Sequence, residues 1–432
     1  MPQKVLIVAY HFPPFRGSSG IQRTLKFATY LRDHGWEPMV LSASPRAYEG
    51  VTQDQMGEIP DGMRVERAFA LDNKRHLSVK GRFLRGMAQP DRWVSWWPAG
   101  VWRGMQMIRE QRPDVIMSTF PIATAHLIGL TLQRLSGLPW VADCRDSMTE
   151  PDYPTDPMTW RSNRRLEQAV VRHCAKAVFT TPGAREMYAE RYPQIPPSRW
   201  AVIENGFDED NFRDASQGFE PRPLGAPGQL TLLHSGVLYP QERDPRPFFS
   251  ALRTLKARGA ISAGSLQVVL RATGNDGAYH AMRDEWGIAD LVQVLPPISY
   301  REALQEMLCA DALLLFQAAN CNHQIPAKLY EYLRADRPIL GLTDPAGNTA
   351  DALRNAGATD IVDLADEHAI AAALPPFLAK LRDPACHGVE PAVAQLHSRR
   401  ARSAELAHVL DEVAREHAES ARVERPRTSK TR

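Results

Sequence analysis

The stretch Gln324 to Leu340, QIPAKLYEYLRADRPIL, reads as loop, helix, turn and strand. Pro326 suits a first helical position, because a helix start leaves that N–H unpaired anyway and the fixed φ of proline fits there. A helix beginning at Pro326 would point the N–H groups of Ala327, Lys328 and Leu329 outward, with the positive end of the helix dipole behind them. That arrangement suits a phosphate. Glu331, one turn further in, is placed to accept hydrogen bonds from a pair of sugar hydroxyls while Lys328 holds positive charge nearby. Arg337-Pro338 then ends the helix, and Ile339 to Leu342 is a buried strand. Together these parts predict a nucleotide-sugar site.

Working outward, the same alternation recurs along the chain. Leu230 to His234 reads as a strand with Ser235-Gly236 as its turn, followed by a helix from Pro245 and strands at 266–270, 292–295 and 312–316. Before it, Val5 to Tyr10 is the continuous apolar run of a central parallel strand, and further strands are read at 38–42, 63–68, 115–118, 140–143 and 177–181. Between the halves, Arg213 to Gln229 is rich in Pro and Gly without an apolar period, and reads as a linker. The predicted fold is α/β: two doubly wound Rossmann-like domains facing across a cleft. Residues 1–212 form the first predicted domain and 230–390, which holds the predicted nucleotide-sugar site, the second. A long helix over 391–418 crosses back to the first domain, and 419–432 is a basic disordered tail.

Composition narrows the function classes. The chain has 432 residues, 44% hydrophobic and 24% charged, as in a globular protein of more than one domain. Its 52 Lys and Arg against 50 Asp and Glu leave +2, so no nucleic-acid partner is expected from bulk charge. The five cysteines are odd in number and none is spaced as CxxC, which predicts a reduced, cytoplasmic chain without metal or cofactor. MPQKVLIVAY enters a strand directly, and no run of about 18 apolar residues occurs, so neither export nor a membrane span is expected.

Three stretches carry further candidates. In HFPPFRGSSG, Gly17 and Gly20 let the backbone approach a ligand closely, and Arg23 sits in the first turn of the helix that follows. From Asn73 to Trp102, Lys74, Arg75, Lys80, Arg82, Arg85 and Arg92 interleave with Trp93, Trp96, Trp97 and Trp102. Such a mixture suits single-stranded nucleic acid or, the preferred reading, an anionic membrane surface and a lipid-linked acceptor; the alternative is a loop whose tryptophans fold onto the core. Finally, DCRD places Asp143, Arg145 and Asp146 just past the end of a parallel strand, where open α/β sheets hold ligands. A structural Asp–Arg ion pair is the competing reading of that motif.

FPPFRGSSGIQR, PDVIMSTFP, WVADCRD, ENGFDEDNF and IPAKLYEYLRADRPIL resemble the GT-B retaining glycosyltransferases of family 4 over nearly the whole chain. The resemblance implies that the second domain binds a nucleotide sugar with Glu331 on the ribose, and that the loop from Gly17 to Gly20 closes over the diphosphate and acceptor. It also implies metal independence. The chain departs from the family pattern at His323, where many members carry a second glutamate. Val237 stands where an arginine commonly follows the glycine matching Gly236, which leaves Arg243 and Lys328 as the candidate cations for the diphosphate. Asp143 occupies a position near which many members have a histidine; with Gly20 it is the candidate catalytic residue.

The expected function is retaining transfer of a sugar from a nucleotide-sugar donor to a glycan or lipid-linked glycan, in cell-surface polysaccharide or lipopolysaccharide biosynthesis, on the inner face of the membrane. A nucleotide-sugar epimerase of the same fold and a non-catalytic sugar-nucleotide sensor or scaffold are the alternatives. An NAD-dependent oxidoreductase is disfavoured because no GxGxxG follows the first strand.

Overall fold

Apolar runs too continuous for a two-faced sheet form the centre of each half of the protein. The computed structural model describes residues 2–16, 19–53, 55–78 and 85–423. Residues up to Glu204, together with those from Arg399 on, form one unit; Asn205–Ser398 form the other.

In the first unit the order is β1 (Gln3–Val8), α1 (Ser19–Tyr30), β2 (Trp36–Ala43), β3 (Val65–Ala68), α2 (Asn73–His76), α3 (Trp96–Gln111), β4 (Val115–Thr119), α4 (Ala123–Ser136), β5 (Trp140–Cys144), α5 (Pro157–His173), β6 (Lys176–Phe179), α6 (Pro182–Arg191) and β7 (Trp200–Val202). The strands make one parallel sheet in the order β3-β2-β1-β4-β5-β6-β7. β1 is central, with Val5 opposite Pro38 of β2 on one side and Val115 of β4 on the other. Helices cover both faces, so Val5, Leu6, Ile7 and Val8 are all buried.

The second unit repeats the plan with α7 (Glu209–Ser216), β8 (Leu230–Ser235), α8 (Arg246–Ala257), β9 (Leu266–Arg271), α9 (Asp276–Glu285), β10 (Val292–Leu295), α10 (Tyr300–Cys309), β11 (Ala312–Gln317), α11 (Lys328–Arg334), β12 (Ile339–Thr343), α12 (Asn348–Asn355), β13 (Ile361–Val362), α13 (Glu367–Lys380) and α14 (Pro391–Leu396). Its parallel sheet runs β10-β9-β8-β11-β12-β13. In each sheet the strand order reverses beside the first strand of the unit, between β1 and β4 and between β8 and β11. A doubly wound sheet binds ligands at the carboxyl ends of the strands at that switch point.

The unit boundary falls at Glu204, ahead of the segment 213–229 in which composition suggests the linker. That segment belongs to the second unit, and its first residues finish α7, which Asp208 caps by accepting from the N–H of Asn211 at 3.1 Å. The helix expected over 391–418 is two helices, α14 and then α15 (Arg399–Val423), broken at His397–Ser398. There the His397 carbonyl accepts from the N–H of Phe207 at 3.2 Å, so the chain pairs with itself instead of continuing the helix. α15 returns to the first unit, where Leu406, Leu410 and Val413 join the core of Val5, Ile7, Leu25, Ala28 and Val115. Residues 424–432, most of the expected tail, lie outside the described residues.

Candidate functional site

At the switch point of the second unit, β8 ends in His234-Ser235 and turns at Gly236. Gly236 has φ +119°, and a Cβ there would come within 2.8 Å of the Lys328 Nζ. The glycine thus lets the backbone of one loop lie against a lysine from another. Lys328 Nζ is 2.9 Å from His234 Nε2, while His234 Nδ1 is 2.9 Å from the Leu314 carbonyl. The carbonyl only accepts, so Nδ1 carries the hydrogen and Nε2 is the acceptor for the Lys328 ammonium. Burial, and next the charge of Lys328, push the pKa of His234 far below that of an ordinary histidine, which agrees with the neutral tautomer.

The pKa of Lys328 is itself pushed well below the usual range, first by loss of hydration and then by Arg243; Glu331 acts the other way. Arg243 is half-buried, its Nη1 donating to the Val237 carbonyl at 3.1 Å and its guanidinium lying over the Tyr239 ring. Glu331 Oε1 accepts from the Tyr300 hydroxyl at 2.7 Å. Tyr332, on the same helix, is buried, and its hydroxyl oxygen accepts the N–H of Ser235 at 2.9 Å. Lys328, Arg243, Gly236 and Glu331 are therefore brought together around the ends of β8 and β11.

The helix start differs in detail. α11 begins at Lys328, one turn-residue after Ala327, and the Leu329 N–H donates to the Pro326 carbonyl at 2.9 Å. Leu329 is therefore not one of the free amides. Its side chain is fully buried instead. His323 is half-buried, with Nε2 3.3 Å from the Gln324 amide nitrogen. A groove of about 860 Å³ elsewhere in this unit, lined by Phe219, Arg222, Ile298 and Gln305 among others, contains none of these residues.

In the first unit the structure reassigns several candidates. Arg23, expected to face an acceptor or membrane, is 2% exposed and Asp143 1%. Arg23 donates from Nε and Nη2 to the two oxygens of Asp143 at 3.2 and 2.9 Å, and from Nη1 and Nη2 to the carbonyls of Glu204 and Ile203, both at 2.9 Å. Thr119 Oγ1 adds a further hydrogen bond to Asp143 at 2.9 Å. This fork-to-fork pair ties α1, β4, β5 and the chain after β7 together, the structural ion pair that competes with a catalytic reading of Asp143. Trp96 is fully buried, against its expected surface role, because it opens α3 and packs into the core with Tyr10. Trp93 packs partly against that core with the Arg92 guanidinium over its ring. Trp97 and Trp102 stay exposed. Gly17, Lys80, Arg82 and the side chain of Arg85 lie outside the described residues. Gly20 lies in the first turn of α1 against the Arg145 guanidinium, whose Cζ a Cβ would approach to 2.8 Å.

His234 and Tyr300 are partners that sequence reasoning missed. His234 reads simply as the last residue of an apolar strand, and Tyr300 as the start of a helix; what joins each to the site is a contact across 94 and 31 positions. Among the described residues no three His, Cys, Asp or Glu side chains gather as a metal-binding group, and no helix is long and apolar enough to cross a membrane.

Residues 19–206 match the family model of a glycosyl transferase 4-like domain. No curated protein sequence matches the chain. Among solved structures it is similar to HepE of Anabaena in complex with UDP, at 14% identity over 98% of this chain and 100% of that one, with a TM-score of 0.60. It is also similar to the lipopolysaccharide outer core galactosyltransferase WaaB, at 11% identity over 94% and 99% and a TM-score of 0.60. UDP-GlcNAc 2-epimerase from Neisseria meningitidis, bound to UDP-GlcNAc, shares the fold at 12% identity over 95% and 100%, with a TM-score of 0.55. With a stretch that matches a glycosyl transferase 4-like domain in its first unit and two Rossmann-like units in all, the chain has the GT-B fold.

Proposed function

We propose that this protein moves a sugar, with retention, from a nucleotide-sugar donor to a glycan or lipid-linked glycan of the cell surface. The observation that carries the reading is the cation pair at the switch point of the second unit. Lys328 is dehydrated and repelled by Arg243, and Gly236 leaves the lysine in contact with the turn backbone. A diphosphate would relieve that repulsion, and beside a buried lysine its charge would be held more strongly than in water. The same two cations, fixed in advance, would stabilise the negative charge that grows on the diphosphate as the glycosidic bond to it breaks. Glu331, whose carboxylate accepts from the Tyr300 hydroxyl, would accept hydrogen bonds from the ribose hydroxyls. HepE was solved with UDP, and WaaB acts on the lipopolysaccharide outer core, which favours this donor class and a surface-glycan acceptor here.

The likeness to an epimerase with UDP-GlcNAc bound keeps one other reading open, since it would need the same donor pocket. Thermal unfolding against UDP-, GDP-, ADP- and CMP-sugars identifies the donor, because a ligand of the folded state raises its apparent stability. Nucleotide release that depends on added acceptor then identifies a transferase. Epimerised sugar nucleotide, formed without acceptor, would overturn the transfer reading.

A further inference from the structure

Arg145 follows β5 at the carboxyl edge of the first sheet, and its charge is not used by the fold. Nε and Nη1 of its guanidinium are buried and have no hydrogen-bond partner among the described residues. Its backbone carbonyl accepts from Thr180 Oγ1 at 2.9 Å. Asp146 and Asp143 lie near enough to favour the charge, but neither carboxylate hydrogen-bonds to it; Asp143 is held by Arg23 and Thr119, and Asp146 is exposed. Arg23 adds like charge. A buried guanidinium with unmatched N–H groups is costly, and such a group calls for a reason beyond folding.

Its surroundings supply one. The residue as a whole is half-buried, although Nε and Nη1 are buried. It lies against Gly20, where any side chain would collide with the guanidinium. His11, on the loop after β1, is near enough to feel its charge: burial first and Arg145 second push the pKa of His11 down to about 3, which leaves the imidazole neutral and able to hydrogen-bond without adding charge. The ends of β1 and β5 and the start of α1 are where a doubly wound sheet receives ligands.

We propose that Arg145 is an anion-binding residue of the first unit that takes a phosphate-class group, with Gly20 reserved to seat its guanidinium. The fork of N–H donors matches phosphate oxygens, and an anion completes the hydrogen bonding that the fold leaves open. The site itself stands on the geometry alone; it rests on the proposed sugar transfer only for the source of the anion, the donor diphosphate or a phosphate on a lipid-linked acceptor.

Calorimetry and thermal unfolding of the full chain with inorganic pyrophosphate, UDP and GDP test this in the wild type, Arg145→Gln and Arg145→Lys. The expected result is pyrophosphate binding weakened at least tenfold in Arg145→Gln and partly restored in Arg145→Lys. Without ligand, Arg145→Gln should melt at the wild-type Tm or above it, because an unmatched buried charge has been removed. Weakened UDP or GDP binding in the same variant supports the donor as source, and loss confined to pyrophosphate supports the acceptor. Wild-type affinity of Arg145→Gln for all three, or a lowered Tm in that variant with a wild-type pyrophosphate affinity in Arg145→Lys and Arg145→Gln alike, overturns the proposal. A wild type that binds pyrophosphate through Arg145 but none of the UDP-, GDP-, ADP- and CMP-sugars would count against the sugar-transfer reading and leave the anion site standing.

Discussion

The ammonium of Lys328 donates to Nε2 of a buried, neutral His234 at 2.9 Å, and the other ring nitrogen of that histidine is anchored on the Leu314 carbonyl. The lysine is thus aimed by a partner that brings no charge of its own. Its pKa is held down by dehydration and then by Arg243, so a diphosphate beside it should raise that pKa, and at any pH where the free lysine has lost its proton donor binding should take one up. Calorimetry in buffers of different ionisation enthalpy measures the uptake, and affinity should strengthen as pH falls. Lys328→Met should abolish the uptake. His234→Leu should raise KM for the donor more than it lowers kcat, with partial rescue in His234→Gln, which retains an acceptor for the ammonium.

Glu331→Ala should weaken nucleotide-sugar binding by about 1.5–3 kcal/mol, the worth of a charged hydrogen-bond acceptor, with the fold unchanged. Tyr300→Phe leaves the carboxylate in place but removes the hydroxyl that donates to it at 2.7 Å. Its effect should be smaller, roughly 0.5–1.5 kcal/mol. Titration of both variants with the donor found by thermal screening checks the ranking, and equal affinities in all three proteins would remove Glu331 from the site.

Breaking the Arg23–Asp143 pair should cost stability before it costs chemistry. Both side chains are inaccessible, so Asp143→Asn, which leaves a buried guanidinium without its charge partner, should destabilise by about 3–5 kcal/mol. Replacing both at once with apolar residues, as in Arg23→Met with Asp143→Leu, should recover much of that loss. Urea unfolding gives both numbers. A fully stable Asp143→Asn that has lost activity would return Asp143 to the catalytic role expected from the sequence.

Acid should unfold the first unit through its buried imidazoles. Trp140 donates to Ser118 Oγ at 2.8 Å, Ser118 Oγ lies in hydrogen-bond contact with His126 Nδ1 at 2.7 Å, and burial lowers the pKa of His126 to about 4. The unfolded chain takes up a proton below about 6.5 while the folded chain does not, so stability is present at neutral pH and is lost as pH falls from about 6.5 to about 4. The loss from this residue is on the order of 3 kcal/mol. His126→Asn, which keeps an acceptor for Ser118 but cannot protonate in that range, should flatten the fall in urea midpoint between pH 6.5 and 4.

Membrane docking, part of the expected reading of the stretch from Asn73 to Trp102, now rests on different side chains. Trp93 and Trp96 are drawn into the core, whereas Trp102 is 64% exposed, with Leu77 and Met87 also exposed. Trp102→Ser should reduce co-sedimentation with anionic liposomes, and the binding should weaken with salt because the attraction decays within a Debye length of roughly 8–10 Å. Unchanged sedimentation in Trp102→Ser would place any membrane contact elsewhere.

The parallel strands were the most legible elements, because a strand covered on both faces is apolar at nearly every position: 312–316 and 339–342 are read almost to the residue. The two-residue edge strand β13, half-buried and short, leaves no such trace. α3 was hidden because its first turns carry tryptophans that resemble a surface patch. Glu331, Lys328, Arg243 and Gly236 could be found because motif spacing marks them. His234, Tyr300 and the seating of Arg145 on Gly20 depend on packing between distant segments, which no local pattern encodes.

The return of α15 to the first sheet sets the order in which the protein can be completed. A ribosome adds roughly 5–20 residues per second, so the strands of the first unit emerge many seconds before Leu406, Leu410 and Val413, which cover Val5, Ile7 and Val115. During that interval the second unit, contiguous from Asn205 to Ser398, can close on itself while the earlier one waits with an apolar face bare. The half of the molecule made first is the half finished last, and nascent chains stalled before residue 399 are the ones that should recruit chaperones.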